Sequence, residues 1–160
     1  MALTRGFQAT RTMGLTMIPL ITVLEGGSTQ TFKKGAVLVA SSGYAVVGAA
    51  DPSAETIIGV AAQDASGTQG TEIKVVPALP WVIFEGQIQN AAADATLVIA
   101  THMLAQFSIN LTTTKFWIDT DDNTHTIVTI IGFKDAVGTL NGVVEFVFNP
   151  LGTIFGSNIT

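Results

Sequence analysis

The sequence predicts an all-β fold, mainly antiparallel, in which a small barrel-like or tulip-like body follows an extended N-terminal arm. Three observations support this. Short runs rich in Val, Ile, Thr and aromatic residues recur along the chain, turn residues separate them about every eight to twelve residues, and almost no segment has helical periodicity. Strands do not alternate with long helices, which argues against a doubly wound nucleotide-binding sheet.

Residues 1–30 are predicted to form the extended arm. Basic residues precede an apolar run from Met13 to Leu24, as they do in a secretory signal. Pro19 interrupts that run and no A-x-A-like cleavage site follows it, which favours an arm over a signal peptide. The flexible joint Gly26-Gly27-Ser28 ends the arm, so we expect its apolar side chains to pack against a neighbouring molecule.

Residues 31–160 are predicted to form one body, with 31–90 as its central motif region and 91–160 as an extension of it. Ser41-Ser42-Gly43 lies between two apolar runs and indicates a hairpin. One short helix is expected between residues 91 and 104, with Asp94 near its start. The predicted strands of the body are 36–40, 44–47, 56–62, 72–76, 81–84, 87–88, 107–109, 115–119, 126–131 and 142–148.

The segment ETIIGVAAQDAS, residues 55–66, has two interpretations, a cofactor loop or a packed strand. A phosphate-binding loop would need G-x-G-x-x-G or a P-loop lysine, and neither motif is present. We therefore predict a strand over 56–62, with Gly59 at a bulge or at a close approach of two backbones. A turn follows, in which Asp64 is expected to cap its own backbone.

The composition limits the function classes. Charged residues make up 12% of the chain and hydrophobic residues 48%, whereas a soluble domain has about 25% charged residues. This indicates a surface that partners cover in part. A net charge of −5 and scattered basic residues argue against a nucleic-acid partner, and the apolar runs are too short or too interrupted to span a membrane. The absence of cysteine excludes disulfides and thiolate chemistry and fits folding in a reducing cytoplasm.

The acidic run from Asp119 to Asn123, DTDDN, resembles the start of a calcium-binding loop. An EF-hand would need Gly at the sixth position and Glu at the twelfth, where this chain has Thr124 and Ile130. A polar hairpin tip between strands 115–119 and 126–131 is therefore favoured. The candidate cation ligands in this run are Asp119, Asp121 and Asn123.

Motifs for catalysis are absent from the sequence. His102 and His125 belong to no H-E-x-x-H pair, and neither Ser66 nor Ser108 lies in a G-x-S-x-G elbow. These absences favour a protein that is not an enzyme and binds no cofactor. A catalytic triad needs only proximity in space, so the sequence leaves that alternative open.

A series of motifs in the first half of the body carries a family resemblance. In chain order they are Phe32-Lys-Lys-Gly35-Ala-Val37, Gly43-x-Ala-Val46, Ile57-Ile58-Gly59-Val60-Ala61-x-x-Asp64-Ala65, Ile73-x-Val75 and Phe84-x-Gly86. Over about residues 32–88 the chain resembles the capsid cement, or head-decoration, proteins of tailed bacteriophages. Trp117-Ile-Asp119-Thr120 and the stretch 131–142 look like phage virion proteins that carry an extension of that domain.

The resemblance implies a non-catalytic role. Such proteins have a compact β-barrel or β-tulip body and often form homotrimers on the outer capsid surface, at threefold and quasi-threefold positions. They clamp neighbouring major capsid proteins after head expansion. For this chain the expected partners are therefore the major capsid protein and further copies of itself, in a virion assembled in the cytoplasm of a bacterial host.

The candidate residues of the capsid or trimer interface are large apolar side chains from the arm, from two strands and from the C-terminal segment. They are Leu15, Met17, Ile18, Leu20, Ile21, Val23, Trp81, Trp117, Ile154 and Phe155. Two other functions stay open. One is a tail or head–tail component, for which a six-fold ring is expected. The other is a module that binds host-surface carbohydrate through an exposed Trp81 or Trp117 beside Asp119 and Asn123.

Overall fold

The computed structural model describes residues 6–14, 16–27, 29–52, 56–91, 93–112, 115–150 and 153–155. Nearly all of their regular secondary structure is β-strand, which confirms the predicted fold class. The elements in chain order are β1 (Gln8–Thr12), β2 (Ile21–Leu24), β3 (Val37–Ser41), β4 (Tyr44–Val47), β5 (Ile57–Ala61), β6 (Glu72–Pro77), β7 (Val82–Gln89), α1 (Ile99–His102), β8 (Gln106–Thr112), β9 (Lys115–Asp119), β10 (Val128–Phe133) and β11 (Val143–Phe148).

Five strands from the second half of the chain form a closed β-barrel. Its strand order is β7-β11-β10-β8-β9, and β9 returns to pair in parallel with the end of β7, where Ile88 lies opposite Ile118. All the other neighbours in the barrel are antiparallel. β1 extends this sheet because it pairs with the first half of β7, the strand on which every residue is buried.

Aromatic side chains fill the barrel. Phe84, Phe146 and Phe148 have no exposed surface, and the ring centroids of Phe84 and Phe148 lie 5.1 Å apart in an edge-to-face arrangement. Alternation along β11 therefore places Phe146 and Phe148 on one face. On β9 the neighbours Phe116 and Trp117 point to opposite sides, so Phe116 is buried and Trp117 is half-buried.

The second sheet is antiparallel, with the order β2-β6-β5-β3-β4. The predicted hairpin is confirmed, since Ser41 pairs with Tyr44 across a two-residue turn. Ser42 and Gly43 both have positive φ, 50° and 85°, as a type I′ turn requires. A parallel bridge between Glu25 and Ala45 brings the two edges of this sheet together.

The strand predicted over 56–62 is β5, and all five of its residues are buried. Gly59 has the predicted role: the register between β3 and β5 shifts beside it, and a Cβ atom there would lie 2.1 Å from the carbonyl oxygen of Val76. In the turn that follows, Asp64 Oδ1 accepts the backbone N–H of Lys34 at 2.8 Å, which ties the turn to the segment before β3.

The described part of residues 1–30 belongs to both sheets, whereas the sequence prediction separated it from the body as an arm. Phe7 is 1% exposed and its ring centroid lies 4.8 Å from that of Phe146, inside the core. β2 pairs with β6, and its alternate residues Ile21 and Val23 pack against the core. The last four residues of the apolar run that the sequence assigned to an arm, Ile21–Leu24, therefore form a strand with ordinary period-two burial.

The helix predicted within 91–104 is limited to α1. Leu97 is fully buried, and its backbone exchanges hydrogen bonds with Thr139 and Gly138, so long-range pairing holds this part of the segment extended. Thr96 forms an isolated bridge with Leu140 in the same way. Tertiary pairing thus overrides the local helical tendency. Within the described residues no helix has the length and apolar character needed to cross a membrane.

The hairpin predicted from strands 115–119 and 126–131 does not form. β8 lies between β9 and β10, since Ile109 pairs with Ile118 and Phe107 pairs with Val128. β10 pairs with β8 and β11 and not with β9. The connection between β9 and β10 therefore crosses over β8.

Candidate functional site

An exposed apolar surface lies on the segment between β1 and β2. Met17 is 79% exposed, Leu20 57% and Met13 49%. The backbone N–H of Met13 donates to the carbonyl oxygen of Trp81 at 2.8 Å, which brings the 42% exposed Trp81 to this segment. We call Met13, Met17, Ile18, Leu20 and Trp81 the N-terminal apolar surface.

Two grooves connect three members of this surface. The first, of about 450 Å³, lies between β1 and the strands β5 and β6, and both Ile18 and Leu20 line it. The second, of about 350 Å³, is lined by Met17 and Ile18 together with Thr10, Arg11 and Thr12. Ile18 belongs to both grooves, so Met17, Ile18 and Leu20 form one continuous area. No charged residue occurs from Met13 to Leu24, and Arg11 and Lys34 lie at its borders.

The other predicted interface residues have different environments. Ile21 and Val23 pack inward and have little surface for a partner. Ile154 and Phe155 are 38% and 37% exposed, and the N–H of Ile154 donates to the carbonyl oxygen of Ile57 at the start of β5. Leu15 lies outside the described residues.

Trp117 is half-buried on the outer face of β9. The Nζ atom of Lys115 lies 4.0 Å from the centroid of its ring, a cation–π contact. One face of this indole is therefore covered by a residue of the same strand. That contact leaves Trp81 as the more accessible of the two tryptophans.

A second exposed apolar area, which the sequence analysis did not identify, lies around α1. Its members are Val98, Ile99, Leu104, Val137 and Leu140, each between 41% and 72% exposed. Backbone hydrogen bonds between Leu97 and residues 138 and 139 hold its two segments together. The run from Thr96 to Leu104 has no Asp, Glu, Lys or Arg, and this absence of charge is the sequence signal that could have identified the area.

The predicted cation ligands have another role in the structure. Asp119 is 6% exposed, and its Oδ1 accepts the backbone N–H groups of Ala91 at 2.8 Å and Asp121 at 3.1 Å. This carboxylate therefore stabilises two turns. Asp121 and Asn123 are exposed beside it. The ligand atoms that the structure brings within 4.8 Å of one another belong to Asp51, Asp122 and His125.

Asp122 and His125 form a hydrogen-bonded pair. His125 Nδ1 lies 2.6 Å from Asp122 Oδ2, and Asp122 Oδ1 accepts the N–H and the hydroxyl of Thr124 at 2.8 and 2.5 Å. Burial acts to raise the pKa of Asp122, but the hydrogen bonds from Thr124 and His125 together outweigh it and lower that pKa. The hydrogen bond to Asp122, and then its charge, raise the pKa of His125.

A carboxylate–imidazole pair is one part of a hydrolytic triad, so its surroundings matter for the question of catalysis. Ser108, which donates its backbone N–H to the Asp122 carbonyl, is fully buried and its hydroxyl donates to Asp51. His102 is 5% exposed, and its Nδ1 accepts the N–H of Val98 at 3.0 Å. Burial lowers the pKa of His102. Both residues thus have structural hydrogen bonds in buried positions.

Glu25 is a fully buried carboxylate at the end of β2. It accepts the backbone N–H of Ser66 at 2.7 Å and that of Gly67 at 2.8 Å, one with each oxygen. Its own backbone pairs with Thr71 and Gly70. Glu25 therefore holds the turn at the end of ETIIGVAAQDAS against β2, and the segment contributes to the scaffold.

Replacing Glu25 with alanine is expected to lower the free energy of unfolding by about 3 kcal/mol, because two backbone donors lose a charged acceptor. Urea unfolding followed by tryptophan fluorescence measures this loss. Glu72→Ala is the matched control, since Glu72 is exposed at the first position of β6. Equal, small losses in the two variants would contradict the structural role of Glu25.

No family model, no curated protein and no solved structure matches the chain.

Proposed function

We propose that this protein is a non-enzymatic structural component of a phage virion, a capsid cement protein that binds the outer surface of the head. It would clamp neighbouring major capsid proteins and stabilise the shell against the pressure of the packaged DNA. The observation that carries the proposal is the N-terminal apolar surface. Met17, Leu20 and Trp81 are exposed by 79%, 57% and 42% on a chain with only 12% charged residues.

An apolar surface of this kind supports a role in binding another protein. Continuous exposed apolar areas on soluble proteins usually mark interaction sites. Methionine adapts its shape to a partner, and tryptophan is enriched among the residues that dominate binding energy. Arg11 and Lys34 at the borders supply the polar rim that such interfaces have.

The position of this surface in the fold also supports a clamp. The segment that carries it lies between β1, which pairs with β7, and β2, which pairs with β6, so both of its ends are anchored. A load on the surface is therefore transmitted to both sheets. Three copies that each make a modest contact gain avidity from their high effective concentration, which favours a homotrimer on the shell.

The triple variant Met17→Ser, Leu20→Ser and Trp81→Ala is expected to lose self-association and binding to heads. Truncating a central residue of an interface costs about 2 kcal/mol or more, and three such losses, about 6 kcal/mol together, weaken binding by roughly ten-thousandfold. Light scattering measures the native mass, and sedimentation with expanded heads that lack a decoration protein measures binding. The expected wild-type mass is that of a trimer.

The matched control removes the same kind of surface elsewhere, through Ile99→Ser, Val137→Ser and Leu140→Ser around α1. This variant is expected to keep both the trimer and head binding. Circular dichroism verifies that both variants are folded. A hexameric wild type would favour a tail or head–tail ring instead, and a wild type that stays monomeric and does not bind heads would overturn the proposal.

The carbohydrate-binding alternative depends on a flat, accessible aromatic ring. Lys115 covers one face of Trp117, so Trp81 is the better platform of the two. Trp81 is also a member of the N-terminal apolar surface. Quenching of tryptophan fluorescence by host-surface glycans, lost in Trp81→Ala alone, would favour this alternative over the capsid role.

A further inference from the structure

Asp51, Asp122 and His125 come from two distant parts of the chain. Asp51 follows β4 of the second sheet, whereas Asp122 and His125 lie between β9 and β10 of the barrel. One ligand atom from each residue lies within 4.8 Å of those of the other two. The group therefore spans the two sheets.

The backbones of Asp51 and Asp122 and the carboxylate of Asp51 are held in place by β8. The fully buried Ser108 donates its hydroxyl to Asp51 Oδ1, and its N–H donates to the carbonyl oxygen of Asp122 at 2.9 Å. The N–H of Asp51 donates to the carbonyl oxygen of Ile109 at 3.0 Å. Both acidic residues are thus positioned by the same stretch of one strand, the kind of outer support that metal ligands have.

The donor set favours a particular class of ion. Carboxylate oxygens alone would suit Ca²⁺ or Mg²⁺, whereas imidazole together with carboxylates suits Zn²⁺ and Mn²⁺. Zn²⁺ binds such ligands at about 2.0–2.2 Å, so three ligand atoms around one ion lie roughly 3.4 Å apart. His125 is an exposed side chain whose rotation can reduce the remaining distance to the two carboxylates, and an ion can enter from solvent.

We infer that Asp51, Asp122 and His125 form a binding site for one divalent transition-metal ion, which links the second sheet to the barrel. The hydrogen bond between His125 and Asp122 is replaced by coordination bonds from both side chains to the ion. Water fills the open coordination positions. The ion acts as a structural cross-link, because the two segments that it joins belong to different sheets.

Thermal unfolding of the full chain tests this inference. After dialysis against EDTA, adding ZnCl₂ or MnCl₂ is expected to raise the midpoint in proportion to the logarithm of the ion concentration, since an ion that binds only the folded state stabilises it. CaCl₂ is expected to have a smaller effect. Isothermal titration is expected to give one Zn²⁺ per chain.

The variants His125→Ala and Asp51→Asn are expected to weaken Zn²⁺ binding at least about tenfold each. Asp121→Asn is the matched control, because Asp121 is an exposed carboxylate next to Asp122 that lies outside the group. Midpoints measured in EDTA separate the loss of ion binding from a loss of folding. No response of the wild type to either ion would overturn the inference, as would a response that both variants keep or that Asp121→Asn loses.

Discussion

Replacing Phe7 with alanine is expected to lower the free energy of unfolding by about 3 to 5 kcal/mol, the usual cost of removing a buried phenylalanine. Phe7 is 1% exposed, and its ring lies 4.8 Å from that of Phe146 and 6.3 Å from that of Phe116. Gly86 makes room for it, since a Cβ atom there would lie 2.6 Å from the ring. Differential scanning calorimetry is expected to show a midpoint lower by roughly 6 to 20 °C.

Met13→Ala is the matched control for this prediction. Phe7 directly precedes β1 and Met13 directly follows it, but Met13 is 49% exposed. It is expected to change the stability by less than about 0.5 kcal/mol. The comparison decides whether residues 6–14 belong to the body or form a dispensable arm. Equal midpoints for Phe7→Ala and the wild type would show that the segment contributes little to the folded state.

Replacing Gly59 with alanine is expected to cost about 3 kcal/mol or more, or to prevent folding. The new Cβ atom would lie 2.1 Å from the carbonyl oxygen of Val76 and 2.9 Å from the Cα atom of Pro77. Both obstacles are backbone atoms, which a change of side-chain rotamer cannot move, so β5 and β6 must separate. Urea unfolding measures the loss, and hydrogen exchange is expected to show faster exchange of the β5 amides.

Gly70→Asn is the control for the glycine substitution. Gly70 has φ +82° and open space around the position of a Cβ atom, and asparagine tolerates that backbone conformation. The control is therefore expected to lose less than about 1 kcal/mol. A Gly59→Ala variant as stable as this control would contradict the close approach of β5 and β6.

Several parts of the fold were predictable because their causes are local. Short runs of β-branched and aromatic residues between turn residues identified most strands, and the pair Ser42 and Gly43 identified the turn between β3 and β4. Gly59 was identified because a glycine inside an apolar strand usually marks a bulge or a close backbone. In the candidate site, Met17, Leu20 and Trp81 were named from their apolar character and are exposed.

Other parts depended on which distant segments meet. Ile21 and Val23 are as apolar as Leu20, yet their side chains pack against the core because β2 pairs with β6. The predicted helix is limited to Ile99–His102 because Leu97 pairs with residues 138 and 139. The contact of Asp51 with the pair Asp122 and His125 likewise arises from the meeting of two sheets, and no local spacing encodes it.

The β class, most of the strands, the turn chemistry and the low charge of the chain were thus predictable, since each follows from neighbouring residues or from composition. The position of β8 between β9 and β10, the parallel closure of β7 on β9 and the burial of Phe7 were not predictable in this way, because they depend on contacts between distant segments. The physical reason is that backbone propensities act over a few residues. Strand partners are chosen by the burial of side chains that lie far apart in the chain.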